Sequence, residues 1–384
     1  MKKVVCLNLL AATLISSCSF ASSYDDYAIK PAETRLDNQQ KIDEPISFLP
    51  IPAFITEPAL GPGLGVVGLF FHDNEKKNKT GTTLPNSISL VGLMGTKNGT
   101  KGAAIGHITF WDQDRIRYQG IVGWASINLD FYTFDEIELL TPLSLNIEGP
   151  AIFQNLKLRY DNSNFFYGLK QIYRQVDISL ADNPIEYFLL DNDIIKEHLS
   201  LDINTSGIGP LLEYDSRDNP LNPEKGYNFK AEYLYFDESI GSKVNYTSLK
   251  LTALNYWQLT NRINLALRMQ YDTVTNRSNK RLPVYIPPSI NLRGVSATRY
   301  QGFDVLVTEA ELSYKITKHI KLNAFTGMGW TANSFSGLSK ANTIDTVGAG
   351  VRYLVDEHYG ITIGVDVAHG PEQNAIYIQA GSTW

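Results

Sequence analysis

The residues best equipped for specific chemistry lie between Asn291 and Gly302, in the stretch NLRGVSATRYQG. Arg293-Gly294 is followed there by a second cationic pair, Arg299-Tyr300, within the longest turn-rich gap between two strand-like runs. A guanidinium is a permanent charge with a planar fork of donors, so its chemistry is the bidentate capture of a carboxylate rather than proton transfer. On a long loop an arginine is ordinarily a solvated surface charge, and that reading stands beside the specific one.

Acid–base and metal chemistry find little support. The six histidines, among them His107, His319 and His369, are scattered and show no His-Glu-x-x-His spacing. No Gly-x-Ser-x-Gly elbow is present. Cys6 and Cys18 both fall within the first 21 residues, which leaves no disulfide framework and no cysteine-ligated metal site. The sequence therefore predicts no catalytic residue, no metal and no cofactor. A membrane hydrolase whose serine and histidine meet only in space is the enzymatic alternative. Asp215, Arg217 and Asp218, in EYDSRDNPLNPEKGYNF ending near Gly226, are turn formers between two strands. Arg352 and Asp366 fit a cross-strand pair worth roughly 0.2–1 kcal/mol.

These side chains need elements to position them. Residues 1–21 read as an export signal: Lys2 and Lys3, an apolar run from Val4 to Ile15, and Ser19-Phe20-Ala21 before a cleavage point. The rival is lipidation at Cys18, preceded by Ile15-Ser16-Ser17. Residues 22–50, mixed in charge with Pro31, Pro45 and Pro50, form an irregular periplasmic leader too short for its own core. The barrel is expected over 51–384, opening on Gly61, Gly63 and Gly65, whose alternation leaves one strand face bare. No Lys-Ser/Thr follows those glycines, so a phosphate loop is not indicated.

Charged residues make up 19% of the chain, below the roughly 25% of soluble domains, while 21 tyrosines and 17 phenylalanines are many for its length. A net charge of −6 argues against nucleic-acid binding. No run approaches the length of a transmembrane helix, and one short helical or irregular insertion fits Ile185 to His198. Elsewhere period-two alternation dominates. In Asn261–Asp272, Ile263, Leu265, Leu267, Met269 and Tyr271 oppose Asn264, Ala266, Arg268, Gln270 and Asp272. In the closing runs Val347, Ala349, Val351 and Tyr353 oppose Gly348, Gly350 and Arg352, and Ile376, Ile378, Ala380 and Trp384 share a parity.

Alternation alone fits any half-buried antiparallel sheet. The connections decide. Tight turns at 259–261, 317–318 and 356–358 alternate with longer gaps at 275–303, 332–341 and 369–373. A soluble sandwich has no reason for that rhythm, whereas an outer-membrane barrel with short periplasmic turns and longer extracellular loops does. The fold class is all-β: a transmembrane antiparallel β-barrel, whose long gap around Arg293 is an extracellular loop. Counting gives about fifteen runs, and the even number of bacterial barrels makes sixteen the expectation, with the hidden strand between Gly123 and Ser200.

Four features then resemble the barrel half of the BamA/TamA outer-membrane assembly factors, the bacterial surface antigen superfamily. They are the opening segment with Pro52, Pro58 and its glycines; the Asp215, Arg217, Asp218, Pro220, Pro223, Gly226 turn; Leu292-Arg293-Gly294; and Gly348, Gly350, Arg352 with terminal Trp384, similar to the family's closing strands and assembly signal. The likeness covers roughly residues 50–384. It implies that the Arg293 loop folds back into the lumen and pairs with an acid on the inner wall. Parity selects Glu309 and Glu311, opposite Ala310, Leu312, Tyr314 and Ile316, together with Asp366.

The chain departs from the family at Val295, where an aromatic is usual, and at Gly327, where many members carry the acid. Residues 22–50 are also too few for the family's periplasmic polypeptide-binding repeats, so a member consisting of a barrel alone is implied. The resemblance implies handling of protein or lipid at the outer membrane of a Gram-negative bacterium. The partners it implies are outer-membrane lipid and lipopolysaccharide, and the barrel-assembly machinery for the protein's own insertion, with a homo-oligomer left open. A passive porin and a structural or adhesive surface antigen are the alternatives.

Overall fold

The computed structural model describes residues 48–72, 87–112, 114–134, 137–180, 202–219, 222–279, 281–356, 361–381 and 384. The export signal, most of the leader, both cysteines and the Ile185–His198 insertion lie outside the described residues.

The first eight strands are β1 (Phe48–Ile55), β2 (Gly63–His72), β3 (Ser87–Thr96), β4 (Lys101–Trp111), β5 (Ile116–Phe134), β6 (Ile137–Arg159), β7 (Phe165–Leu180) and β8 (Asp202–Asp215). The second eight are β9 (Gly226–Phe236), β10 (Tyr246–Gln258), β11 (Ile263–Asn276), β12 (Asp304–Lys315), β13 (Ile320–Ala332), β14 (Ile344–Asp356), β15 (Ile361–His369) and β16 (Asn374–Ala380). They form a 16-stranded sheet in sequential order, each strand antiparallel to the next. This is the even-numbered barrel that the alternation and turn rhythm predicted. The region where the strand count blurred holds β5 and β6, of 19 and 23 residues. A strand needs about 9–11 residues to cross the hydrocarbon, so this hairpin extends well beyond it.

Period-two patterning separates the faces. Along β12, Leu312 and Tyr314 are exposed to the lipid side, whereas Glu309 and Glu311 are buried. Away from the lipid side, apolar residues gather in buried clusters. One gathers Val67, Leu69, Leu90, Ile121 and Ile127 from β2–β5, and a second sets Tyr285 and Ile286 of the 277–303 loop against Ile147, Val176, Phe236 and Tyr246. Among the described residues no hydrogen-bonded ladder joins β1 to β16, so the barrel is nearly closed with a seam. At that seam the Ile378 N–H donates to Thr56 Oγ1 at 3.4 Å.

The turn between β8 and β9 is built on two carboxylates. Arg217 Nε and Nη2 donate to Asp215 at 2.9 and 2.8 Å. Asp218 Oδ1 accepts from the N–H groups of Asn219, Glu224 and Lys225 at 2.9, 2.9 and 3.2 Å. Gly226, at φ +103°, restarts the ladder, and a Cβ there would lie 2.2 Å from Ser216 O. Asp218→Ala removes the shared acceptor while water reaches the exposed turn, so it should cost about 1 kcal/mol. A lower temperature for loss of the heat-modifiable folded band on a semi-native gel checks this.

Candidate functional site

The 277–303 loop turns at Gly294 (φ +94°) and presents Arg293 to the side chains that alternate away from lipid. Arg293 Nε donates to Glu309 Oε1 at 2.7 Å, and Nη1 donates to Glu311 Oε2 at 2.8 Å and Asp366 Oδ2 at 2.9 Å. Its guanidinium carbon lies 3.3 Å from the centroid of the Phe325 ring. Arg293 is 7% exposed, Glu309 1% and Asp366 0%. Charges this far from water persist only when neutralised and hydrogen-bonded. Two further arginines supply the balance. Arg268 Nη1 reaches Glu309 Oε2 at 3.4 Å, and Arg352 grips Asp366 through Nη1 and Nη2 at 2.5 and 2.7 Å. Three guanidinium groups thus face three carboxylates.

Glycines clear the ground for this cluster. A Cβ on Gly348 would lie 2.2 Å from Phe325 Cζ, and one on Gly350 would lie 1.8 Å from Asp366 Oδ1. At Gly327 a Cβ would come within 2.6 Å of Leu292 Cδ2, so the position that lacks an acid is the floor on which Leu292 rests. Glu309, directly across the β12–β13 ladder from Gly327, provides the carboxylate instead. Val295 is buried with Ile290, Leu292, Val305 and Val307, where a branched aliphatic packs without a polar tip to satisfy.

The loop is fastened at points far apart in the chain. Gly294 N–H donates to Tyr377 Oη on β16 at 2.9 Å. Ala297 N–H donates to Glu57 Oε1, in the β1–β2 connection, at 3.2 Å. Thr298 Oγ1 donates to the carbonyl of Asp130 on β5 at 2.7 Å. Arg299 Nε donates to Glu372 Oε1 in the β15–β16 turn at 3.0 Å, and the Tyr300 hydroxyl donates to the same carboxylate. Burial pushes the Glu57 carboxyl up to about 7, against the lowering effect of its backbone hydrogen bonds to Ala59 and Ala297.

Trp384 departs from the parity read in the sequence. Alternation holds through β16, but Gly381 adopts φ +84° and its N–H donates to Thr362 O at 2.7 Å. The indole then leaves the lipid-facing row, and Nε1 donates to Glu309 Oε2 at 2.9 Å. Sequence reasoning also missed Arg268, Phe325, Tyr377, Glu57, Asp130 and Glu372 as neighbours of this loop. Arg268 lies on the polar face of its alternating run, a signal that could have found it; nothing local marks the others.

The Omp85 superfamily domain matches residues 111–356. The fold is similar to that of BamA from Haemophilus ducreyi lacking POTRA domains 1-3, with 11% identity, a TM-score of 0.57, and 87% of this chain and 69% of that one covered. It is also similar to CdiB from Acinetobacter baumannii, with 11% identity, a TM-score of 0.54, and 87% and 59% coverage. CdiB from Escherichia coli gives 12% identity, a TM-score of 0.54, and 86% and 62% coverage. At such identities the likeness is one of fold, and the chain spans less than two thirds of either CdiB. No curated protein sequence matches it.

Arg293→Ala would strand three buried carboxylates with two arginines, at a cost of about 3–5 kcal/mol. Arg293→Lys should rescue little, because an ammonium cannot serve the same fork. Protease cleavage within 277–303 and the heat stability of the folded band read both variants. For Glu57 the folded-state value lies above the ordinary 4.5, so the folded protein holds the extra proton between about pH 4.5 and 7. Its contribution is complete below that window and is lost as pH rises through it. Loop protection from protease should therefore fall between about pH 4.5 and 7, and the dependence should vanish in Glu57→Gln.

Proposed function

The chain belongs to the Omp85 superfamily, an outer-membrane β-barrel of Gram-negative type, and from that premise we infer a gated barrel that handles protein or lipid at the outer membrane. The observation that carries this reading is the Arg293 cluster. A passive pore needs a free lumen, whereas here a loop of more than 20 residues is tied by a buried, charge-balanced network to β12, β15 and β16 and by separate bonds to β5 and the β1–β2 connection. In this reading the loop folds into the lumen and occludes it, and Leu292, Arg293 and Gly294 form the plug's attachment to Glu309, Glu311 and Asp366. Asp215, Arg217, Asp218 and Gly226 shape a periplasmic turn, while Gly348, Gly350, Arg352 and Trp384 complete the floor beneath the plug. Lipid and lipopolysaccharide surround the barrel, and the barrel-assembly machinery inserts it. The chemistry assigned to these residues is attachment and release, with no catalytic step.

Planar-bilayer recording tests this. The wild type should show no large steady current, and deletion of 281–300 should open one. A large, steady, ion-selective current from the wild type would identify a passive channel and end the gated reading.

A further inference from the structure

We propose that His72, Ser89 and His107 form a binding site, on the outer wall of the barrel, for the phosphate of an anionic phospholipid in the periplasmic leaflet. The inference goes beyond the gated reading and takes from it only which rim is periplasmic. Side chains alternate along a strand, and each of the three shares its parity with exposed apolar residues. His72 goes with Val66 and Phe70, Ser89 with Val91 and Leu93, and His107 with Ile105 and Trp111. All three therefore face lipid rather than the lumen, where a polar side chain must find partners. Ser89 Oγ lies 2.8 Å from His72 Nε2 and 3.0 Å from His107 Nδ1, and the ring centroids are 5.7 Å apart.

The trio sits at the level of a headgroup. β2 ends at His72, and Ser89 is the third residue of β3. This rim also carries the β8–β9 turn, periplasmic in the proposed orientation. One step nearer the rim, Ser87 Oγ and Thr109 Oγ1 are hydrogen-bonded at 2.7 Å, and the stacked rings of Trp111 and Tyr118 follow. Outward aromatic rings of this kind mark the edge of the hydrocarbon. On the other side Phe70, Val91 and Ile105 are the next outward residues of the same three strands, and all are exposed. A headgroup held by the trio thus lays its acyl chains on that apolar wall.

The protons identify the ligand. A hydroxyl has one proton to give, so one imidazole accepts it and the other donates an N–H to Oγ. In the neutral trio the accepting ring carries its own proton on its outer nitrogen, and the donating ring carries a lone pair there. Those outer nitrogens, His72 Nδ1 and His107 Nε2, have no hydrogen-bond partner among the described residues. One added proton turns both into donors and gives the trio a single positive charge. A phosphodiester brings one negative charge and oxygens for both donors, and charge-assisted bonds of this kind are the strong ones. Among the described residues, the titratable groups on the outer face of β1–β5 towards this rim are His72, His107 and Tyr118. In the turn beyond, the Asp112 carboxylate is paired with Arg115 at 3.3 Å. The counter-charge for the imidazolium is left to the membrane.

The test titrates the full chain in maltoside micelles with dioctanoylphosphatidylglycerol and follows protein–lipid adducts by native mass spectrometry. One adduct should be tight at pH 5.5 and severalfold weaker at pH 8, because the imidazolium is lost as pH rises through about 6.5. His72→Gln/His107→Gln, whose amides still bond to Ser89 but take up no proton, should weaken it tenfold or more with the heat-modifiable band unchanged. Ser89→Ala, which unties the two rings, should weaken it severalfold. Dioctanoylglycerol, with the same chains and no phosphate, should form none. An adduct indifferent to pH, undiminished in either folded variant, or formed equally by dioctanoylglycerol overturns the inference. Displacement by inorganic phosphate assigns the site to a free anion and overturns it for lipid. Each of these outcomes leaves the gated reading standing, whereas a steady wild-type current in planar bilayers ends that reading without touching the adduct.

Discussion

Inside hydrocarbon a backbone N–H or C=O has no water to fall back on, and the structure is arranged around that constraint. Sixteen sequential strands satisfy it by bonding each strand to its neighbours, so that unpaired edges are confined to one seam. At the seam the protein meets the constraint differently. Pro50 and Pro52 remove donors from the exposed edge of β1, and the Thr56 hydroxyl accepts the Ile378 N–H that a ladder would otherwise take. The edge is made inhospitable to other strands rather than closed.

The same demand for partners shapes the interior. A loop carrying a guanidinium away from water must deliver it to carboxylates. Arg293 finds three of them, with Arg268 and Arg352 restoring neutrality. Space is as important as charge there. Gly348 and Gly350 admit the Phe325 ring and the Asp366 carboxylate, and Gly327 admits Leu292, so the glycines of the closing strands are a negative mould of the cluster above them. The buried network fixes the loop's position, while bonds to Glu57 and Glu372 tie its far end to either side of the seam. Through this loop the two sides of the seam are therefore mechanically connected to the buried network.

Much of this was legible in the residues. Alternation in Asn261–Asp272 and in the closing runs predicts strands with an apolar and a polar face, because side chains of a strand point alternately to opposite sides. Turn rhythm distinguishes a barrel from a sandwich, and parity separates Glu309, Glu311 and Asp366 from Leu312 and Tyr314. The long β5–β6 hairpin was less legible, because beyond the hydrocarbon nothing enforces a lipid-facing row and the pattern fades. Trp384 was misplaced by extending parity past Gly381, where a positive φ ends the strand.

Sequence alone therefore determined the class of sheet, the two faces of its strands and the charged residues available on the inner one. Those properties follow from the geometry of a single strand and its contact with lipid. Only the tertiary structure decided which of those residues meet. Arg293 and Asp366 are 73 positions apart, and Ala297 and Glu57 are 240 apart. What brings them together is the sum of fifteen strand registers and the curvature of the wall, a global quantity that no local pattern encodes.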